Sequence, residues 1–189
     1  MAADDHTFLF TDLVGFTALT EARGDDGAAE VALDFYRHVR VLLPAHEAHE
    51  VKTIGDALML RCAEPRRAIR LGLRIVADLE QVPGFPPVRV GMHTGPAVER
   101  EGDWYGTTVN VAARLCAATG GGQVLVSEAT CDAAGTLVDV TLDEPELHWL
   151  KNVTEPVSAR IASERSQSRW RRLRILKAVT PPRMQGVAT

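Results

Sequence analysis

Along the first two thirds of the chain the hydrophobic period switches between two and about 3.6 in a fixed order, and that order restricts the fold more than any single motif. Residues 6–12 read as a strand, and "GFTALTEA" as a short helix after a glycine-containing turn. A longer helix follows in "GAAEVALDFYRHVRVLLPAHEA", where Val31, Phe35, Val39 and Leu42 recur at helical spacing. "HEVKTI" and "DALMLRCA" alternate as two short strands joined at Gly55, a hairpin signal. "EPRRAIRLGLRIVADLEQV" is a helix opened by Pro65, whose missing N–H costs nothing in a first turn, with Ile69, Leu73 and Val76 on one side. "PPVRVGMHTG" returns to a strand, broken at Gly95 and Pro96, with "AVERE" as its continuation. "TTVNVAARLCAATGGG" is a further helix, with threonines suited to its N-cap and glycines to its end. Shorter strands are expected around "QVLVS", "LVDVTL", "ELHWL" and "VSARIA".

The order βα, ββ, αβ, then αβ suits a mostly antiparallel sheet with helices on one face, not a doubly wound parallel sheet. The expected class is α+β, with a ferredoxin-like βαββαβ core and flanking helices. A length of 189 residues at 46% hydrophobic content suits one domain with a buried core, taken as residues 1–163. No apolar run approaches the roughly 18 residues of a membrane span, and the N-terminus lacks a signal pattern, so a cytoplasmic protein is expected. Cys62, Cys116 and Cys131 share no metal-ligand spacing and read as reduced core thiols.

Charge divides the chain. Residues 164–189 hold seven Lys or Arg against one acidic residue, leaving 14 basic and 24 acidic residues in the preceding body. An acidic body argues against a nucleic-acid surface, so phosphate chemistry must depend on a few placed cations or metal ions. In the basic tail, Trp170, Leu173 and Leu176 recur every three residues between arginines, which suggests a short amphipathic helix. Packing of that helix on the acidic body is favoured over membrane association, because so short a strip buries little area.

Within this frame a few polar residues stand out. In "FLFTDLVGFT", Asp12 ends a strand just before a helix start, a poor place for a solvated charge but a good one beside a cation and phosphates. "KTIGD" places Lys52 and Asp56 four residues apart around a turn glycine, where the bland reading is a surface ion pair worth under about 1 kcal/mol. Asn110 and Arg114 are four apart on one helix face, with Asp103 just upstream, and Lys151 lies in "LKNVTEPV" between strand-like runs. "HEAHE" lacks the spacing of a zinc protease, and His46 and His49 are better read as helix-end histidines. "GGGQ" is a helix stop, since no Lys-Ser or Lys-Thr follows.

Together "FTDLVGFT", "VKTIGDALM", "VGMHTG", "GDWYGTTVNVAARL" and "LKNVTEPV" resemble, in order and separation, the catalytic domain of class III nucleotidyl cyclases over about residues 6–162. The resemblance implies an antiparallel homodimer with two shared sites. It implies Asp12 and Asp56 as ligands of two divalent ions, Mg²⁺ or Mn²⁺, and Leu13, Val14, Gly15, Phe16 and Thr17 as the turn offering backbone donors to the nucleotide phosphates. Carboxylate oxygen suits those hard cations. One ion would activate the ribose 3′-hydroxyl and the other neutralise the triphosphate. Arg114 is carried over as stabiliser of the α-phosphoryl charge, Asn110 as the residue orienting the ribose, and Lys151 as the grip on the outer phosphates. Lys52 and Asp103 would read the purine, Lys52 donating to adenine N1 and Asp103 accepting from the N6 amine. Guanine reverses both polarities, so the implied substrate is ATP. The alternatives are a guanylyl cyclase, which Lys52 and Asp103 oppose, and a silent cyclase-like module for dimerisation or nucleotide sensing, although the metal aspartates and the Asn/Arg pair that degenerate relatives lose are all present. The short segment between "GMHTG" and "GDWYG" resembles the bacterial short-arm subgroup.

Overall fold

The computed structural model describes residues 5–165. Trp170, Leu173 and Leu176, and with them the expected amphipathic tail helix, lie outside the described residues.

Strand β1 (Asp5–Leu13) runs antiparallel to β3 (Ala57–Cys62) on one side and to β4 (Val88–Pro96) on the other. β2 (Ala48–Ile54) closes one edge by pairing with β3. Helix α1 (Phe16–Leu42) joins β1 to β2, and α2 (Pro65–Glu80) joins β3 to β4. The strand order β2-β3-β1-β4 is the expected ferredoxin-like core. Helix α3 (Thr107–Ala118) then carries the chain to β7 (Val124–Ser127), which lies parallel to β4. A short helix α4 (Glu128–Ala134) follows, and β8 (Val140–Leu142), β9 (Glu146–His148) and β10 (Val157–Glu164) complete the sheet.

Not all helices share a face. Leu9 and Leu13 of β1 enter one continuous core with Val31 and Phe35 of α1 and Ile69 and Ile75 of α2. The alternate residues Phe8 and Phe10 pack on the other side with Val109, Ala112 and Cys116 of α3. A third cluster places Val111 and Leu115 of α3 against Leu125 of β7 and Ala159 of β10. The expectation of helices on one face is therefore corrected: α1 and α2 cover one face and α3 the other. The physical reason was present in "FLF", since a strand apolar on both sides must be covered on both.

Gly91 sets how closely α3 approaches. A Cβ there would fall 2.0 Å from the backbone nitrogen of Cys116, so only a glycine lets the helix lie on β4. The start of α3 also differs from expectation. Its N-cap is Gly106 with no side-chain cap, and Thr108 Oγ1 donates instead to the Pro96 carbonyl at 2.6 Å, tying the helix start to the end of β4. At its other end the cap is Thr119, whose hydroxyl donates to Leu115 O at 2.6 Å, ahead of the glycines. β4 continues through Gly95 to Pro96, and "AVERE" does not prolong it. Those residues instead form β5 (Val98–Arg100), which pairs with β6 (Asp103–Tyr105) in a separate short hairpin. Positive φ at Glu101 (53°) and Gly102 (78°) closes it in the primed-turn manner that matches strand twist. α1 is interrupted at Gly24 (φ 74°, ψ 170°), so "GFTALTEA" is a separate first segment of it, as its own periodicity suggested.

Candidate active site

Asp12 sits near the C-terminal end of β1, where the register sets it opposite Ala57 of β3 and Arg89 of β4. Asp56 is the second residue of the β2–β3 turn. Positive φ is confined there to Gly55 (60°), as a turn with glycine in its first central position requires. Tyr36 of α1, which is buried, donates its hydroxyl to the Gly55 carbonyl and so fixes the turn that carries Asp56. Burial pushes the Asp56 carboxyl above its ordinary range, and the negative charge of Asp12 adds to that rise. Two like charges have thus been brought into one partly buried place, an arrangement that favours a shared cation. Arg89 partly answers the need: its Nε donates to Asp12 Oδ2 at 2.8 Å and a terminal nitrogen donates to the same oxygen. No group of three or more metal-ligating side chains occurs among the described residues. A divalent ion held by Asp12 and Asp56 would therefore complete its shell with phosphate, backbone or water oxygen, as Mg²⁺ ordinarily does.

The turn after β1 is built for helix entry. Gly15 is the N-cap of α1 with φ 82°, and Val14 donates its N–H to the Pro87 carbonyl at 2.8 Å. Val14 thus has its amide engaged by the protein, while Phe16 and Thr17 stand in the first turn of α1, where amides lack intrahelical acceptors. Leu13 is the last residue of β1, opposite Val88.

Lys52 does not pair with Asp56. It reaches across to Asp103 in β6 and forms an ion pair with its Oδ2, while the Trp104 N–H donates to Asp103 Oδ1 at 2.8 Å. The Lys52 contact, more than any other, holds the Asp103 carboxyl below its usual range. Asp103 lies just before the start of α3, and Arg89 donates to the Ala117 carbonyl near the helix's end at 3.1 Å. Twelve residues of helix, about 18 Å at ~1.5 Å per residue, separate the Lys52–Asp103 end of α3 from the Asp12 end.

Asn110 and Arg114 lie on the exposed stripe of α3 together with Ala117. Neither side chain has a hydrogen-bond or ion-pair partner among the described residues, and the same holds for exposed Lys151 after β9. The structure therefore brings Asp12 to Asp56 and Lys52 to Asp103, and leaves Asn110, Arg114 and Lys151 facing solvent. Sequence reasoning missed Arg89 and Tyr36. Arg89 reads as an ordinary strand cation until β4 is aligned with Asp12, and Tyr36 reads as core beside Phe35. Elsewhere His46 Nδ1 lies 3.0 Å from the Leu42 carbonyl at the end of α1, in keeping with a helix-end role. His49, by contrast, is not at a helix end: α1 stops at Leu42, ahead of Pro44, and His49 falls in β2. The three cysteines are free thiols, with Cys62 and Cys116 buried.

A family model described as the adenylate and guanylate cyclase catalytic domain matches residues 1–142. A pH-sensitive adenylate cyclase of Mycobacterium tuberculosis is 38% identical over 129 residues, which cover 68% of this chain and 32% of that protein. An adenylate cyclase of Streptomyces griseus is 34% identical over 135 residues, covering 68% of this chain and 34% of its own length. The chain thus spans about a third of the length of the curated relatives it matches. Among solved structures, one from a study of Trypanosoma brucei adenylate cyclases in their monomeric state superposes with a TM-score of 0.74 at 25% identity, covering 84% of this chain and 88% of that one. With the five motifs, the sheet order and this coverage in agreement, the chain belongs to the adenylate and guanylate cyclase catalytic domain family.

Proposed function

We propose that this domain is an adenylyl cyclase that closes ATP to 3′,5′-cyclic AMP and pyrophosphate at sites shared by two copies of the chain. The observation that carries the reading is the convergence of Asp12 and Asp56 at the end of β1, two carboxylates held together against their repulsion. When bound there, two divalent ions supply the positive charge that eases loss of the ribose 3′-proton and offsets the triphosphate. The chain's own residues do the rest. Asn110 orients the ribose so that its 3′-oxygen lies in line with the α-phosphorus and the pyrophosphate oxygen departs opposite. Arg114 presents forked donors to the α-phosphoryl oxygens where charge develops, and Lys151 holds the outer phosphates. Lys52 and Asp103, already paired, open to admit the adenine edge between them, the lysine donating to N1 and the carboxylate accepting from N6.

A shared site is supported by what one chain leaves unfinished. Asn110, Arg114 and Lys151 point outward without partners among the described residues, and exposed apolar side chains lie near the same features: Ile54 beside the turn, Val98 and Tyr105 on the β5–β6 arm, and Trp149 beside Lys151. Such apolar exposure fits a surface covered by a second copy. No helix among the described residues is long and apolar enough to cross a membrane. Incubation with Mg²⁺ or Mn²⁺ and either ATP or GTP, followed by mass identification of the product, tests the reading. Cyclic AMP from ATP, lost on chelation, is expected. Preferential cyclic GMP would overturn the role of Lys52 and Asp103, and no cyclic product from demonstrated dimers would favour a silent module.

A further inference from the structure

We propose that Arg89 is a displaceable counter-ion of the metal site, neutralising Asp12 until a divalent ion takes its place and so setting how tightly that ion is held. This rests on the reading of Asp12 and Asp56 as metal ligands. Both Arg89 bonds to Asp12 fall on one oxygen, Oδ2, so Oδ1 has no cationic partner among the described residues and offers an incoming ion a first point of attachment. The guanidinium has a second acceptor, the Ala117 carbonyl at 3.1 Å, near the C-terminal end of α3 where a cation is welcome. Arg89 can therefore release Asp12 without becoming unpaired. Its backbone stays fixed, because Arg89 faces Asp12 in the β1–β4 register and α3 lies directly on neighbouring Gly91. Asp12 and Arg89 are both only partly exposed, with side-chain exposures of 17% and 26%, so their charges are less screened than a surface pair's. With Arg89 in place the two carboxylates carry a net charge of −1 and not −2, which lowers the attraction for a dication.

Electron paramagnetic resonance of free Mn²⁺, titrated into the nucleotide-free protein, measures the affinity directly. Arg89→Gln is expected to bind Mn²⁺ about tenfold more tightly, the scale of removing one nearby charge in partly screened surroundings. Arg89→Lys, which keeps the charge, should stay close to the parent chain. Loss of a purely structural residue would loosen the site, so tightening separates the two roles. Asp56→Asn should weaken Mn²⁺ binding in both the parent and the Arg89→Gln backgrounds. If Asp56→Asn weakens binding but Arg89→Gln leaves it equal or weaker, the counter-ion role is overturned while the carboxylate reading stands. If Asp56→Asn has no effect, the carboxylate reading fails and this inference with it. Should Arg89→Gln not fold, the parent protein still answers: in a Mg²⁺ titration followed by nitrogen-15 NMR, the Arg89 Nε–H signal should shift and saturate with the ion. A signal unmoved at Mg²⁺ saturation would overturn the proposal.

Discussion

The face of the sheet under α1 and α2 holds one continuous apolar core, while the face under α3 holds two smaller clusters together with Asp12 and, on α3 itself, Asn110 and Arg114. On the first face, Phe35, Leu9, Leu58, Ile69 and Met92 are fully buried and ion pairs lie at the rim, such as Arg70 with Asp139 and Arg40 with Glu50. On the second, Asp12 shares its alternation with Phe8 and Phe10, and α3 turns a polar stripe outward. One face is continuous apolar core, whereas the other combines apolar packing under α3 with polar side chains exposed along that helix, the face on which the proposed nucleotide site and partner contact would lie. The division predicts that changes on the two faces separate turnover from folding.

Asp12→Ala should break that separation most visibly if it is wrong. Turnover is expected to fall at least about a thousandfold, the scale of losing preorganised charge in an active site, while the melting temperature stays near that of the parent. Normal turnover by this variant in a metal-containing assay would refute the role of Asp12. A mixing experiment sharpens the claim that the α3 face is completed by a partner. Asp56→Ala and Arg114→Ala chains should each be nearly inactive, yet random pairing should restore up to about a quarter of parental activity, because half the dimers then carry one intact site. Continued inactivity of demonstrated heterodimers would argue against a shared site.

On the opposite face, Phe35→Ala should cost about 3–5 kcal/mol through its cavity, seen as a melting temperature lower by about 10 °C. Activity per folded molecule below the transition should change little; a large loss there would mean that the α1 core also governs the site, through Tyr36 and the Asp56 turn.

The smallest effects lie in pH dependence, where the two regions should differ in sign. Arg70 holds the Asp139 carboxyl down at about 2, so that pair's stabilisation is present above the unfolded carboxylate range and is lost as pH falls from there toward about 2. Asp56 is raised by burial and by Asp12, so the metal-free fold binds that proton more tightly than the unfolded chain does. Its charged form opposes folding, and stability from this group falls as pH rises through the window above the ordinary carboxylate range. Melting curves across acidic pH for Asp56→Asn and Asp139→Asn, in chelator, should therefore depart from the parent in opposite directions. Departures of the same sign would contradict the contrast between an unbalanced carboxylate pair and a satisfied ion pair.

Local chemistry determined much of this protein before any tertiary contact was known. The alternation of periods gave the βαββαβ order, because a strand or helix records in its own residues which side meets water. Gly55 marked the hairpin, and the unusual company of Asp12, with apolar residues before it and a helix start after it, marked a charge that needed a partner. What lay beyond reach depended on register and on layers. "FLF" is apolar on both faces, yet only the packing of α3 over Gly91 showed which helix covers the second one. Arg89 is an unremarked strand residue until β4 pairs with β1 and sets it opposite Asp12. Lys52 is four residues from Asp56 in sequence, but its bonded partner is Asp103, brought from β6 by the short hairpin that replaces the expected continuation of β4. Periodicity reports the environment of one element at a time. Ion pairs between elements depend on strand order and register, which are fixed only when the whole sheet buries its apolar faces together.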